Sequence, residues 1–431
     1  MQAPKTIIHM LAVASGFALA HTPQPAFGQC QIGDRTWTLV AQSGPSSRSV
    51  HAMVYDSARS VVVLFGGQNE SGRFKDTWEW NGVTWTFVTA SGPSPRTGHA
   101  MAYDSARDVT VLFGGHTGST ALDDTWEWNG STWTQRKPAT HPLHRNLHAM
   151  VYDSESDRTV LFGGFVGGNE ISRETWGWNG TNWSLLANTG PGRRHEHAMA
   201  YDSQRDQTVF FGGRTFSVFD DTWEWSGGWT QHDVVGPSAR SRHAMAYASA
   251  CAVSVLFGGQ GANNSVISDQ TWEWDGLAWS QQFPGVRPSA RKDHAMAYDS
   301  DRNVVVLFGG FVAGTDGEGG NNWETWEYEC VPDMPDCNGN GIWDDCDVNP
   351  TDPDGNGQVS LDCNEDGVPD ECVCPADFDC DGTVGASDLA QLLGRWGLCD
   401  DCNDCPADFT GDCRVLAADL AVLLDAWGPC S

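Results

Sequence analysis

The stretch RTGHAMAYDSARDVTVLFGGHTGSTALDDTWEWNGSTWT, residues 96–134, returns six times along the chain with small changes. A self-similar period near fifty residues commits this region to a repeat architecture, in which each unit buries its apolar face only against its neighbours. His-Ala-Met begins at His51, His99, His148, His197, His243 and His294. A Phe-Gly-Gly follows each, from Phe65, Phe113, Phe162, Phe211, Phe257 and Phe308. A Thr-Trp closes each unit at Trp78, Trp126, Trp176, Trp223, Trp272 and Trp326. The spacing predicts four short strands per unit. HAMAY alternates in period two, DVTVLF is a β-branched apolar run, TWEW alternates again, and an Asn-Gly such as Asn81-Gly82 turns into a last strand carrying Trp85. Six such units predict a mainly β fold, a six-bladed propeller.

The double glycine after an apolar strand, the spaced aromatics and the Pro-x-x-Arg before each unit resemble Kelch repeats, which implies one blade per repeat over residues 34–330. The chain departs from many such units in carrying Trp-Glu-Trp where they have one aromatic. Blades are expected to start near 48, 96, 145, 194, 240 and 291. The sixth lacks a fourth-strand Trp, whereas Arg35-Thr36-Trp37-Thr38 stands before the first blade. Residues 35–40 are therefore expected to pair with 323–328 and close the ring. That closure would bring Cys30 near Cys330, an expected bridge.

The first 28 residues combine Lys5, an apolar run from Ile7 to Leu19 and small-x-small cleavage points after Ala20 or Gly28, which reads as a secretory signal. The run is too short to span a bilayer, so export without a membrane span is expected, to an extracellular, cell-surface or periplasmic site. Net charge is −31, and from Val331 onward 23 acidic residues face only Arg395 and Arg414. Such a segment repels nucleic acid and attracts divalent cations. It also holds most of the 14 cysteines. In an exported chain that density points to disulfides; zinc on Cys399, Cys402 and Cys405 is the weaker alternative, with no histidine nearby.

Six arginines, Arg48, Arg96, Arg145, Arg194, Arg240 and Arg291, stand three residues before the six histidines. Two readings are open: a cationic ring at the channel mouth that draws anions, or an inter-blade bond that every blade needs. The tryptophans are expected to pack between blades. Function is sought where the repeats disagree, in the loops after Phe-Gly-Gly, with His116, Phe165, Phe216 and Phe219 as exposed candidates. No catalytic constellation is found: there is no G-x-S-x-G elbow, HExxH or Walker loop.

Residues 331–373 alternate oxygen-bearing side chains around glycines: Asp336, Asn338, Asn340 and Asp344; Asp352, Asp354 and Asn356; Asp362, Asn364, Asp366 and Asp370. This is how a loop wraps a hard cation, and the segment resembles thrombospondin type 3 repeats, which implies a calcium stalk; a solvated acidic linker is the alternative. Residues 374–431 are a duplicate pair, each a calcium-type loop followed by a short helix. Asp377, Asp379, Asp381, Thr383 and Asp388 occupy ligand places of the first loop. Leu389, Leu392, Leu393 and Trp396 then fall on one helical face, repeated by Leu420, Leu423, Leu424 and Trp427. The pair resembles a type I dockerin, which implies calcium as cofactor and a cohesin-like protein partner. Carried over by position, the second loop's ligands are Asp408, Thr410, Asp412, the carbonyl of Arg414 and Asp419. Partner contact falls on Ala386, Ser387, Ala417 and Ala418. Cys413 replaces the turn glycine and weakens the second loop.

Together these readings describe a secreted, non-catalytic interaction protein that binds a protein or glycan through propeller loops and a partner through the calcium module, with no nucleic-acid partner. The alternative is a polysaccharide-degrading enzyme or the accessory subunit of one, since dockerins travel with such catalysts.

Overall fold

A computed structural model describes residues 35–330, apart from 169, 263–265 and 313–318, together with parts of 383–429. Two compact units are present, residues 33–333 and the remainder. In the first, six four-stranded antiparallel sheets follow one another as blades. The HAMAY segments, Ala52–Asp56 and its five equivalents, are the innermost strands, and those of neighbouring blades contact one another around the axis. Next outward come Val61–Phe65 and its equivalents, buried on both faces and therefore apolar throughout. The Thr-Trp strands, Trp-Glu-Trp in four of the six blades, and the short edge strands complete each blade.

The sixth blade is assembled from both ends of the unit. Thr36–Ala41 pairs antiparallel with Thr325–Glu329, placing Trp37 opposite Tyr328 with its ring buried. The expected closure is present, and it gives the sixth blade the outer fourth strand that its own repeat lacks. The expected Cys30–Cys330 bridge is replaced by another: Cys330 is bonded to Cys251. Cys251 stands where four other blades carry Arg59, Arg107, Arg205 or Arg302. Each of those arginines ties the turn aspartate below it to the glutamate of its own third strand, as Arg107 ties Asp104 to Glu127 at 2.7 and 2.6 Å. Blade five has Ala248 for that aspartate, so the covalent link to blade six takes the place of the ionic one. Cys30 itself lies outside the described residues.

One hydrogen bond repeats around the whole ring. The fourth-strand tryptophan of each blade donates its indole N–H to the third-strand threonine of the blade before it. Trp37 bonds Thr271, Trp85 bonds Thr325, Trp133 bonds Thr77, Trp183 bonds Thr125, Trp229 bonds Thr175 and Trp279 bonds Thr222, all within 2.8–3.0 Å. Each ring also packs on a phenylalanine of the neighbouring blade, as Trp133 does on Phe65. Burial of the aromatic body with its N–H paired is what makes tryptophan serve at this position.

In the second unit the two halves of the duplicate interlock. Thr383–Val384 pairs with Gly428–Pro429, and Gly397–Leu398 pairs with Arg414–Val415, equivalent segments exchanging partners. Helix α1 spans Ala386–Gly394. Val384, Leu392, Val415 and Leu423 are buried, while Leu393 and Trp396, expected on the same packed face as Leu392, are about half exposed. Among the described residues no helix is long and apolar enough to cross a membrane.

Candidate binding site at the channel mouth

The six repeated arginines are buried, and each joins two blades. The Arg96 guanidinium donates to the Gly114 carbonyl and grips Asp124 through two bonds of 2.7 and 2.8 Å in its own blade. Its backbone meanwhile pairs with Phe74 and Gly67 of the preceding blade. The same carboxylate accepts the indole N–H of Trp126. Equivalent acceptors are Asp76, Glu174, Asp221 and Glu324, with Gln270 alone uncharged. The anion-attracting ring is thereby ruled out at this position: the guanidinium groups face protein carboxylates and carbonyls, and the inter-blade reading stands. The Arg96 charge and its hydrogen bonds hold the Asp124 carboxyl below its ordinary value against a desolvation that pushes the other way.

The histidines three residues on are buried too, each set edge-on to the phenylalanine of the previous blade's second strand, as His99 is to Phe65 at 5.4 Å. Burial, reinforced by the neighbouring arginine, lowers His51, His99 and His243 to about 3, and His148, His197 and His294 well below the ordinary value. They are neutral wall groups.

Between arginine and histidine lie two positions that differ from blade to blade, and these build the site. Immediately before each histidine stand Val50, Gly98, Leu147, Glu196, Arg242 and Asp293, all left-handed with φ between 56° and 62°. Each donates its backbone N–H to the carbonyl of its counterpart in the preceding blade: Gly98 to Val50, Leu147 to Gly98, Glu196 to Leu147, Arg242 to Glu196, Asp293 to Arg242 and Val50 to Asp293, at 2.7–3.1 Å. Six hydrogen bonds thus close a ring around the axis. The residue before each of these pairs with the one after Phe-Gly-Gly, bringing Gln68, His116, Phe165, Arg214, Gln260 and Phe311 to the rim.

These residues, apart from Arg214 and Gln260, border a cavity of about 670 Å³, which is also lined by Asn69, Glu70, Arg73 and Asn321. One side is ionic. Arg242 bonds Glu196 at 2.9 Å and approaches Asp293 at 3.4 Å, and Lys292 donates to Gln260 at 3.0 Å and lies 5.3 Å from the Phe311 ring. Hydrogen bonds from His195 and Arg242 hold Glu196 down to about 2 despite burial, whereas burial with only partial compensation from Arg242 raises Asp293 to about 6. The other side, Val50, Gly98 and Leu147, carries no charge.

Of the candidates expected from sequence, His116 and Phe165 lie at this mouth. Phe216 is fully exposed on its loop, and Phe219 instead packs over the Arg194 guanidinium, 4.2 Å from its carbon. The ring residues escaped sequence reasoning because they are hidden inside the invariant Arg-x-x-His frame. Their one signal is that variation there interrupts an otherwise constant motif. Asp336, Asn338, Asn340, Asp344, Asp352, Asp354, Asn356, Asp362, Asn364, Asp366 and Asp370 lie outside the described residues, as do Asp377, Asp379, Asp381, Asp408, Thr410, Asp412, Ala418 and Asp419. Thr383 falls in a strand, and Ser387 and Asp388 in α1, with side chains outside the description. Ala386, Ala417 and Arg414 are exposed.

Six four-stranded blades, closed by the N-terminal strand and carrying variable residues at one mouth, define a β-propeller of the Kelch class. The chain belongs to the Kelch-repeat family whose model is described as the KLHDC2/KLHL20/DRC7 Kelch-repeats domain, which matches residues 27–164 and 79–246, together just over half of the sequence. Among solved structures it is similar to that entitled "Structure of YjhT", at 14% identity and a TM-score of 0.53, over 66% of this chain and 96% of the other. At that identity the likeness concerns the fold. No curated protein matches the sequence.

Proposed function

We propose that this is an exported, non-catalytic interaction protein. In this reading the propeller's loop face receives a protein or glycan, and a calcium-set, dockerin-like module fixes the chain to a second partner. The observation that carries it is the segregation of variability: the repeated Arg, His, Phe, Thr and Trp hold the blades together, and the variable positions between Arg and His and after Phe-Gly-Gly converge on one mouth. A Kelch propeller suits protein interaction. The Cys251–Cys330 bridge favours an oxidising compartment, in keeping with the signal-like first 28 residues. Equivalent leucines of the duplicate, Leu393 and Leu424, are each 51% exposed, and Ala386 and Ala417 are exposed too, which supports a docking role for the module. The stalk and loop carboxylates named above supply hard oxygen ligands for calcium.

The test is affinity capture from medium and cell-surface fractions with the full chain in calcium, comparing native protein with Phe216→Ser and Leu393→Ser. A propeller partner lost only with Phe216→Ser, and a second lost only with Leu393→Ser, is the expected result. Indifference to both substitutions would place the contacts elsewhere and sink the reading.

A further inference from the structure

We propose that the channel mouth binds an uncharged, polyhydroxylated ligand, a saccharide unit of a neutral glycan. This rests on the reading of the loop face as the binding surface, and names what its centre takes. The first argument is conformational. Left-handed φ suits glycine, and a bulky or β-branched side chain there carries strain on the order of 1–2 kcal/mol. Gly98 shows that glycine fits the ring, yet five blades hold a side chain at that place, among them Val50, Glu196 and Asp293. The ring itself is made by backbone bonds and needs none of these side chains. They are retained for what they display.

Their chemistry then narrows the ligand. The ring N–H groups are all occupied, so no backbone nest remains for an anion. Among the described lining residues, Glu70, Glu196 and Asp293 are matched by Arg73, Arg242 and Lys292. A ligand bearing net charge would disturb this balance and meet desolvation beside Arg242, Glu196 and Asp293, which are already paired with one another. Hydroxyl groups do not: they donate to carboxylates and accept from guanidinium or ammonium groups, and hydrogen bonds to charged partners are the strong ones. Arg242 and Asn321 both line the cavity, and Arg242 Nε and Asn321 Oδ1 have no hydrogen-bond partner within the protein. Leu147, Phe165 and Phe311 meanwhile offer apolar surface to the C–H face of a sugar ring. Gly98 borders the cavity on its uncharged side, and the volume lies in the range of small-ligand sites.

The experiment titrates the full chain with maltotriose, cellotriose and xylotriose, and in parallel with trigalacturonate and the trimer of glucosamine, by calorimetry and ligand-observed NMR. At least one neutral trisaccharide is expected to bind, with the acidic and basic trimers weaker. Arg242→Gln should weaken binding about tenfold, the scale of one hydrogen bond to a charged group. Gly98→Asn, which accepts left-handed φ but brings its Cβ to 3.1–3.3 Å from Leu147, should abolish it in a protein that keeps its native β spectrum. Equal or tighter binding of a charged trimer, binding indifferent to both substitutions, or no binding by any neutral trimer overturns the proposal. If the last occurs while Phe216 still governs partner capture, the loop-face reading survives and only the saccharide assignment falls.

Discussion

A buried guanidinium is tolerable only if every donor finds an acceptor, and the repeated arginines show what happens when one acceptor changes. Arg240 faces the neutral Gln270 where its counterparts face carboxylates, and burial lowers it to about 10. Gln270→Glu should therefore stabilise the protein by about 1–2 kcal/mol, read as a raised melting temperature, because it adds a charge-assisted bond without moving atoms. Arg96→Met should cost about 3 kcal/mol, since it strands Asp124 largely buried. The histidines make a pH prediction. Their folded values lie far below the ordinary 6.5, so stability is complete above about pH 6.5 and falls as the unfolded chain takes up protons that the fold refuses. Each contributes a slope of about 1.4 kcal/mol per pH unit, levelling near pH 3. Asp293 runs the other way: raised to about 6, it loses stability as pH climbs through that value and offsets one histidine between about pH 4 and 6. Chemical denaturation between pH 7 and 5, above the carboxylate range, should show net proton uptake on unfolding. A flat profile would contradict the burial of these rings.

The blade strands were legible because periodicity and turn residues agree within every unit, and the closing strand because Trp37 supplied what the sixth unit lacked. The disulfide was not legible. Cys251 sits in an ordinary-looking turn, and its partner follows from which strand end lies beside that turn in space. The ring residues were illegible for a related reason: a constant backbone conformation is compatible with Val50, Gly98 and Arg242 alike, so sequence shows variation without showing the shared φ. Blade three tests the packing logic from the other side. It reads Thr-Trp-Gly-Trp, so Trp225 of the next blade lacks the carboxylate that Glu127 gives Trp178 at 3.2 Å. At the element scale, Cys251→Ser with Cys330→Ser should cost up to about 4.5 kcal/mol, the loop-closure value for a separation of 79 residues. Trp37→Ala should cost a similar amount, about 3–5 kcal/mol, by opening a cavity and breaking the Thr271 bond. Denaturant melts of the two variants check both figures.

At the scale of the whole molecule, the ring is expected to fold without metal and the proposed C-terminal module to need calcium. Calorimetric titration of the full chain with calcium should lose most heat with Asp377→Ala or Asp388→Ala and least with Asp408→Ala, because Cys413 burdens the second loop. Chelation should reduce the helical signal and leave the β signal intact. The central claim, however, is that the shared positions hold the propeller while the unshared ones at the mouth are free to bind. It is tested most directly by giving blades four to six the residues that blades three, one and two carry at the same place: Glu196→Leu, Arg242→Val and Asp293→Gly together. Removing all three leaves none of this ionic trio stranded, and the ring's backbone bonds already accommodate Leu, Val and Gly. The measurement is the thermal midpoint of this triple variant beside the native chain. The account predicts a midpoint within a few degrees of native, and a collapse of the midpoint would show that the charged half of the mouth is structural.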